Sequence, residues 1–243
     1  MAGKILAGMV ELIPWDHRSD EHVDRMVLQR RECGWFAEDV PEWKERSETG
    51  HKSLFWVTLS DSVPGQEEML QAHTVRFPKE KVPLRDTATS INLLPCEATK
   101  KEFITLGHVA LNKHPTPDLE SHLADLPPEG VYWVANLYVS WALQSRGLGR
   151  AVMVTLEATV VREPLNGRVM ALDTVQKEFQ LSDMAAENFW KPMGMPMPRF
   201  SNEEWYQKQG YTIFRRLDGH RSLELPTGDV VSISLILLKK DLI

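Results

Sequence analysis

The chain has 243 residues, 42% of them hydrophobic and 26% charged, with a formal net charge of -6. That length and balance supply a sizeable core and exclude wholesale disorder, and the acidic balance offers no positive field to draw in phosphate backbones, so no nucleic-acid partner is expected. The two cysteines, Cys33 and Cys96, make no disulfide framework and fit a reducing compartment. The apolar stretch before Glu11 is too short for a signal peptide, and no run is apolar enough to span a bilayer, so a cytoplasmic protein without a membrane partner is expected.

In chain order, Ile5 to Ile13 reads as an opening strand ended by Pro14. Val23, Met26, Val27 and Arg30 place a helix over Asp16 to Trp35, capped by Ser19 or Asp20. Pro41 opens a second short helix, through Ser47, with Gly50 beyond its end. Ser53 to Leu59 is β-branched and aromatic and reads as a strand. Ser60 to Lys101 holds four prolines and reads as a long excursion, with a short strand around Ala72 to Phe77; it is either a functional lid, an oligomer contact or a surface loop.

Phe103 to Leu111 and Val131 to Trp141 are strands joined by a proline-broken connection, the second apolar enough for a central strand covered on both faces. Leu148, Ala151, Val152, Thr155, Leu156 and Thr159 repeat at helical spacing, stopped by Pro164 and Asn166-Gly167. Arg168 to Val175 is a strand, and Leu181 to Trp190 a short helix followed by a Met/Pro connection. Ser201 with Glu204 marks a capping box for a helix to Gln209, closed by Gly210. Tyr211 to Leu217 and Val230 to Leu238 are the last strands. Interleaved helices and strands, with no linker-like break, predict an α/β (α+β) fold: one mixed sheet with helices on both faces, in a single domain over 1–243.

The informative stretch is the central strand running into Gln144-Ser145-Arg146-Gly147-Leu148-Gly149 and the helix after it. Gly147 and Gly149 leave room for a ligand to approach the backbone. The helix start presents free N–H groups and the positive end of its dipole, which favours an anion. Gln144 and Arg146 add donors, and Arg150 opposes the dipole unless an anion sits nearby. A short Gly-x-Gly alone is also what any tight strand-to-helix turn has. The segment is neither a dinucleotide fingerprint nor a P-loop, because the further glycine and the Gly-Lys-Ser/Thr are missing.

The run Leu137 to Ala151 resembles motif A of the GNAT superfamily of N-acetyltransferases, Gln/Arg-x-x-Gly-x-Gly/Ala after a strand, with Gln144, Gly147 and Gly149 on the defining positions. It departs at Trp141, where many relatives have Pro, and at Ser145, where many have Gly. A second similarity lies in Glu204-Trp205-Tyr206-Gln207-Lys208-Gln209-Gly210-Tyr211, which resembles the family's late helix-to-strand signature. The resemblance implies a splayed central sheet and an acetyl-CoA-dependent transferase (an acyltransferase); no metal is expected, on the spacing of the histidines alone. It implies that Gln144, Ser145, Arg146, Gly147, Leu148, Gly149 and Arg150 hold the CoA pyrophosphate, that the backbone of Leu137, Tyr138 and Val139 pairs with the pantetheine arm, that the Val139 N–H faces the oxyanion, and that Tyr206 protonates the leaving thiolate.

The acceptor amine must lose a proton, and the candidates for base are Asp173, Glu102 and His108, each equally at home as a structural group. Trp35, Phe36, Trp43 and Trp56 either line an acceptor pocket or pack the core. The eight histidines show no metal-ligand spacing. The acidic balance favours a small cationic amine as acceptor. A non-catalytic acyl-CoA sensor and a protein or peptide N-acetyltransferase are the alternatives, and homodimerisation is left open.

Overall fold

The computed structural model describes residues 8–163, 165–225 and 228–242. The elements in order are β1 (Val10–Pro14), α1 (Asp20–Cys33), α2 (Val40–Glu48), β2 (Lys52–Leu59), α3 (Gln66–Arg76), β3 (Leu84–Arg85), β4 (Ser90–Ile91), β5 (Leu94–Pro95), β6 (Glu102–Phe103), β7 (Gly107–Asn112), β8 (Val131–Val139), α4 (Leu148–Val160), β9 (Val169–Val175), α5 (Lys177–Gln180), α6 (Asp183–Ala185), α7 (Asn202–Gln207), β10 (Thr212–Glu224) and β11 (Val230–Asp241). Among the described residues seven strands form one mixed sheet in the order β1-β2-β7-β8-β9-β11-β10, flanked by helices. β8 and β9 pair in parallel, whereas β1–β2, β2–β7, β9–β11 and β10–β11 are antiparallel.

The chain divides into two units. The first takes the residues up to His114 and Val134–Asn166; the second takes Pro115–Trp133 and Gly167 onward. In the first, β2 and β7 are buried almost throughout, so both of their faces are covered, and they carry the polar residues Lys52, Thr58, His108 and Asn112 inside as well as apolar ones. Trp15, Met26, Trp43, Leu54, Trp56 and Phe103 form one cluster there. α4 buries Leu148, Ala151, Val152, Leu156 and Val160 on one stripe, which packs against β1. In the second unit Leu119, Trp133, Ala171, Leu217, Leu235 and Leu237 make the core. Exposed Ser232 alternates with buried Ile233 along β11, as the period of two requires.

Most expected elements are present, and their ends move by a few residues. The start of the opening strand, Ile5 to Ala7, and the stop signal Pro164 lie outside the described residues. The largest correction concerns Ala72 to Phe77, which is not a strand. It ends α3, whose Met69 and His73, four residues apart, bury on one face. Glu67 and Glu68 lie in its first turn and Arg76 in its last, as the helix dipole favours. The expected strand Phe103 to Leu111 is two strands, because Glu102–Phe103 leaves β2 to pair with Leu84–Arg85. The predicted helix Leu181 to Trp190 is broken: Ser182 Oγ accepts the Ala185 N–H and starts a new turn at Asp183, and Ala186–Trp190 is a π-helical turn. The capping box at Ser201 forms as expected, with both reciprocal hydrogen bonds.

Candidate active site

The loop read from the sequence sits at the exit of β8. The Ser140 N–H donates to Leu106 O at 2.8 Å, and the indole N–H of Trp141 donates to Glu32 O at 2.8 Å. Leu143, fully buried, closes a short 3₁₀ turn. The chain then emerges: Gln144, Ser145, Arg146 and Gly147 are all exposed. Two residues take left-handed backbone, Ser145 at φ +64° and Gly147 at φ +83°. Gly147 adopts it without a steric cost, whereas Ser145 bears a cost on the order of 1 kcal/mol. Buried Leu148 then anchors the first turn of α4 in the core.

That turn is open to an anion. No side chain caps it, and it holds no acidic residue. Its N–H groups therefore face outward, beside the exposed side chains of Arg146 and Arg150. In the strand before the loop, Tyr138 is buried against His108, with ring centroids 5.4 Å apart, while Leu137 and Val139 are half-buried. Gly107 on β7 is required here, because a Cβ at that position would collide with the Tyr138 carbonyl.

In the second unit, Tyr206 lies on α7, its ring 4.8 Å from that of Trp205 and 5.7 Å from that of Tyr211. Part of the side chain stays exposed, but the phenol is surrounded by protein, and burial followed by the charge of Asp173 raises its pKa. Asp173 is engaged on both oxygens: Trp133 Nε1 donates to Oδ1 at 3.0 Å, and Arg221 Nη1 donates to Oδ2 at 3.4 Å. Arg221 also reaches Asp118 at 3.2 Å. A carboxylate held this way orders Trp133 and Arg221.

The other two candidates for base also have partners. Glu102 is exposed and ion-paired with Arg85 at 2.8 Å. His108 is wholly buried, with Nδ1 2.9 Å from Gln29 Oε1 and Nε2 3.3 Å from Arg30 Nη1. An amide oxygen can only accept and a guanidinium can only donate, so His108 carries its proton on Nδ1 and is neutral; burial, then Arg30, holds its pKa well below the usual value. Trp43 and Trp56 belong to the core, Trp35 is half-buried, and Phe36 is 47% exposed. Among the described residues, no group of three or more His, Cys, Asp or Glu is arranged to hold a metal ion.

Two features had no signature in the sequence. One is a buried polar cluster on α1, α3 and the turn after it: Gln29 bonds Glu80, and His73 bonds Ser140 at 2.9 Å. Burial pushes the Glu80 carboxyl up to about 7 and the His73 imidazole down to about 4. The other is Lys52, 3% exposed, whose Nζ donates to Asn136 Oδ1 at 2.6 Å. Both depend on contacts between residues far apart in the chain.

No protein-family model and no curated protein sequence matches the chain. Solved structures do. A protein from Desulfovibrio desulfuricans described as a GNAT-family acetyltransferase superposes with TM-score 0.51 at 13% identity, covering 96% of this chain and 99% of that one. Arabidopsis thaliana NAA60 in complex with acetyl-CoA superposes with TM-score 0.51 at 13% identity, over 96% and 98% of the two chains. The aminoglycoside 6'-N-acetyltransferase from Enterococcus faecium gives 0.50 at 15% identity, over 97% of each. The fold is that of the GNAT acetyltransferases.

Proposed function

We propose that this chain is an acetyl-CoA-dependent N-acetyltransferase, one catalytic domain over its 243 residues, that moves an acetyl group directly to the primary amine of a small molecule. The observation that carries the reading is the uncapped start of α4, exposed at Gly147 one short turn beyond β8, on a chain with the GNAT fold. An acyl-CoA fits that place chemically, because its pyrophosphate supplies the anion that the free N–H groups and Arg146 and Arg150 lack. In this reading the residues from Gln144 to Arg150 hold the pyrophosphate, and the backbone of Leu137 to Val139 pairs with the pantetheine arm as an added strand.

The reaction forms an N–C bond and breaks the C–S bond of the thioester. The Val139 N–H stabilises the oxyanion where charge develops. Tyr206 gives its proton to the departing sulfur; a phenol is already protonated at neutral pH, and the raised pKa makes Tyr206 a weaker acid, a cost that direct contact with the developing thiolate has to offset. The cationic acceptor loses one proton to water before it attacks, and the second proton, released as the amide forms, returns through water to the Tyr206 phenolate. The net charge of -6 favours a cationic acceptor, and one structural neighbour is itself an aminoglycoside acetyltransferase.

The test is thiol release from acetyl-CoA across a panel of amines, with Gly147→Asp as control. Amine-dependent release that the control lacks supports the reading. Acetyl-CoA binding without release from any amine would instead make the protein a sensor of acyl-CoA.

A further inference from the structure

Lys52 opens β2 at a position paired with Asn112 on β7. It is 3% exposed, and its Nζ donates to Asn136 Oδ1 at 2.6 Å and to Asn112 Oδ1 at 3.4 Å, while lying 4.6 Å from the centre of the Trp43 ring. These partners are two neutral amides and a π face. Burial, then Arg46 and Arg30, lowers its pKa to about 7, against the weaker opposing pull of Glu42 and Asp39. A lysine without a carboxylate in contact is a costly choice for an interior site, where an apolar side chain of like volume is commonly as stable or more so. What an apolar side chain lacks is the hydrogen bond to Asn136.

Asn136 is the unusual residue of β8. It stands in the middle of the strand with φ +52°, a left-handed conformation that a non-glycine residue holds only when its surroundings enforce it. The kink has a consequence along the strand. The ladder of β8 with β9 covers Val131–Trp133 and stops before the kink. After it come Leu137, Tyr138 and Val139, the stretch that leads into the exposed loop.

We propose that Lys52 is a positioning residue for acyl transfer: its Nζ holds the Asn136 side chain, and through it the left-handed kink that aims the Leu137–Val139 backbone. The proposal rests on the reading that this backbone receives the thioester arm. It touches no substrate; it acts through Asn136. Misplacement of a reacting group by about 1 Å costs roughly a hundredfold in rate, so a loosened kink shows in turnover before it shows in affinity for the pyrophosphate, which the loop holds independently.

The test compares wild type with Lys52→Met, Asn136→Gly and the double variant. Each is measured for kcat, for acetyl-CoA Kd by calorimetry, and for hydrogen exchange of the peptide spanning 131–143. Lys52→Met is expected to lower kcat about tenfold or more and to speed exchange at 134–139, with Kd within about threefold of wild type. Glycine tolerates the kink but breaks the same contact, so Lys52→Met should add little in the Asn136→Gly background. A Lys52→Met kcat within about twofold of wild type, or single effects that multiply in the double variant, would overturn the proposal. If the wild type neither binds acetyl-CoA nor releases CoA, the functional reading itself fails and takes the catalytic role of Lys52 with it; that result is distinct from a working enzyme indifferent to Lys52.

Discussion

His73 of α3 places Nδ1 2.9 Å from Ser140 Oγ, with both residues fully buried. The contact ties the segment between β2 and β7 to the lead-in of the Gln144–Gly149 loop, and α3 also packs on the turn at Trp141–Leu143. Ser140→Ala removes the hydrogen bond with little change of shape and leaves the His73 nitrogen unpaired, at a cost of about 1–2 kcal/mol. The expected outcome is a stability loss of that size and a several-fold weaker acetyl-CoA affinity, read by urea unfolding and calorimetry. Unchanged affinity would show that α3 supports the fold but not the loop.

Glu80 and His73 have opposite pH dependences. Glu80 is raised from 4.5 to about 7, so the folded state retains a proton that the unfolded chain releases; its contribution to stability is full below 4.5 and is lost as pH rises to about 7. His73 is lowered from 6.5 to about 4, so its contribution is full above 6.5 and is lost as pH falls toward 4. Between 4.5 and 6.5 the two offset each other. Glu80→Gln leaves His73 alone, and stability should then rise with pH across that window by up to about 1.4 kcal/mol per unit. Unfolding by urea at several pH values checks the slope, and a flat profile in the variant would contradict it.

Ser145 pays for its left-handed backbone, φ +64°. Ser145→Gly should leave acetyl-CoA binding intact and change stability favourably by up to about 1 kcal/mol, the relief of strain being partly offset by the greater freedom of glycine in the unfolded chain. Ser145→Val should do the reverse and weaken binding as well. Calorimetry with denaturant titration distinguishes the two.

Tyr206→Phe tests the proton donor. The expected outcome is a kcat reduced by about 10²-fold or more with acetyl-CoA Kd nearly unchanged, because the hydroxyl acts on the leaving sulfur rather than on the pyrophosphate. Equal loss in kcat and affinity would assign Tyr206 to packing with Trp205 and Tyr211 instead.

Local patterns carried much of this molecule. The stripe from Leu148 to Val160, the capping box of Ser201 and Glu204, and the β-branched run of β2 are each decided by neighbours in sequence, and each formed where expected. α3 was not legible, because its buried face consists of Met69 and a histidine whose partners, Ser140 and Glu80, lie elsewhere in the chain. Glu102 and Asp173 looked equally available as bases; only the positions of Arg85, Trp133 and Arg221 reveal that their oxygens are engaged. Lys52 reads as a polar residue at the edge of a strand, and nothing near Asn136 in sequence announces a left-handed residue. The loop was legible because its glycines answer to a local need, the left-handed turn at Gly147.

Calorimetric titration of acetyl-CoA into wild type and Gly147→Asp tests whether the segment from Gln144 to Gly149 holds an acyl-CoA pyrophosphate. Aspartate would bring a carboxylate to the open end of α4 and strain its left-handed start. Saturable one-to-one binding to wild type is expected, weakened about a hundredfold or more in the variant. No binding to wild type, or equal binding to both proteins, would contradict it.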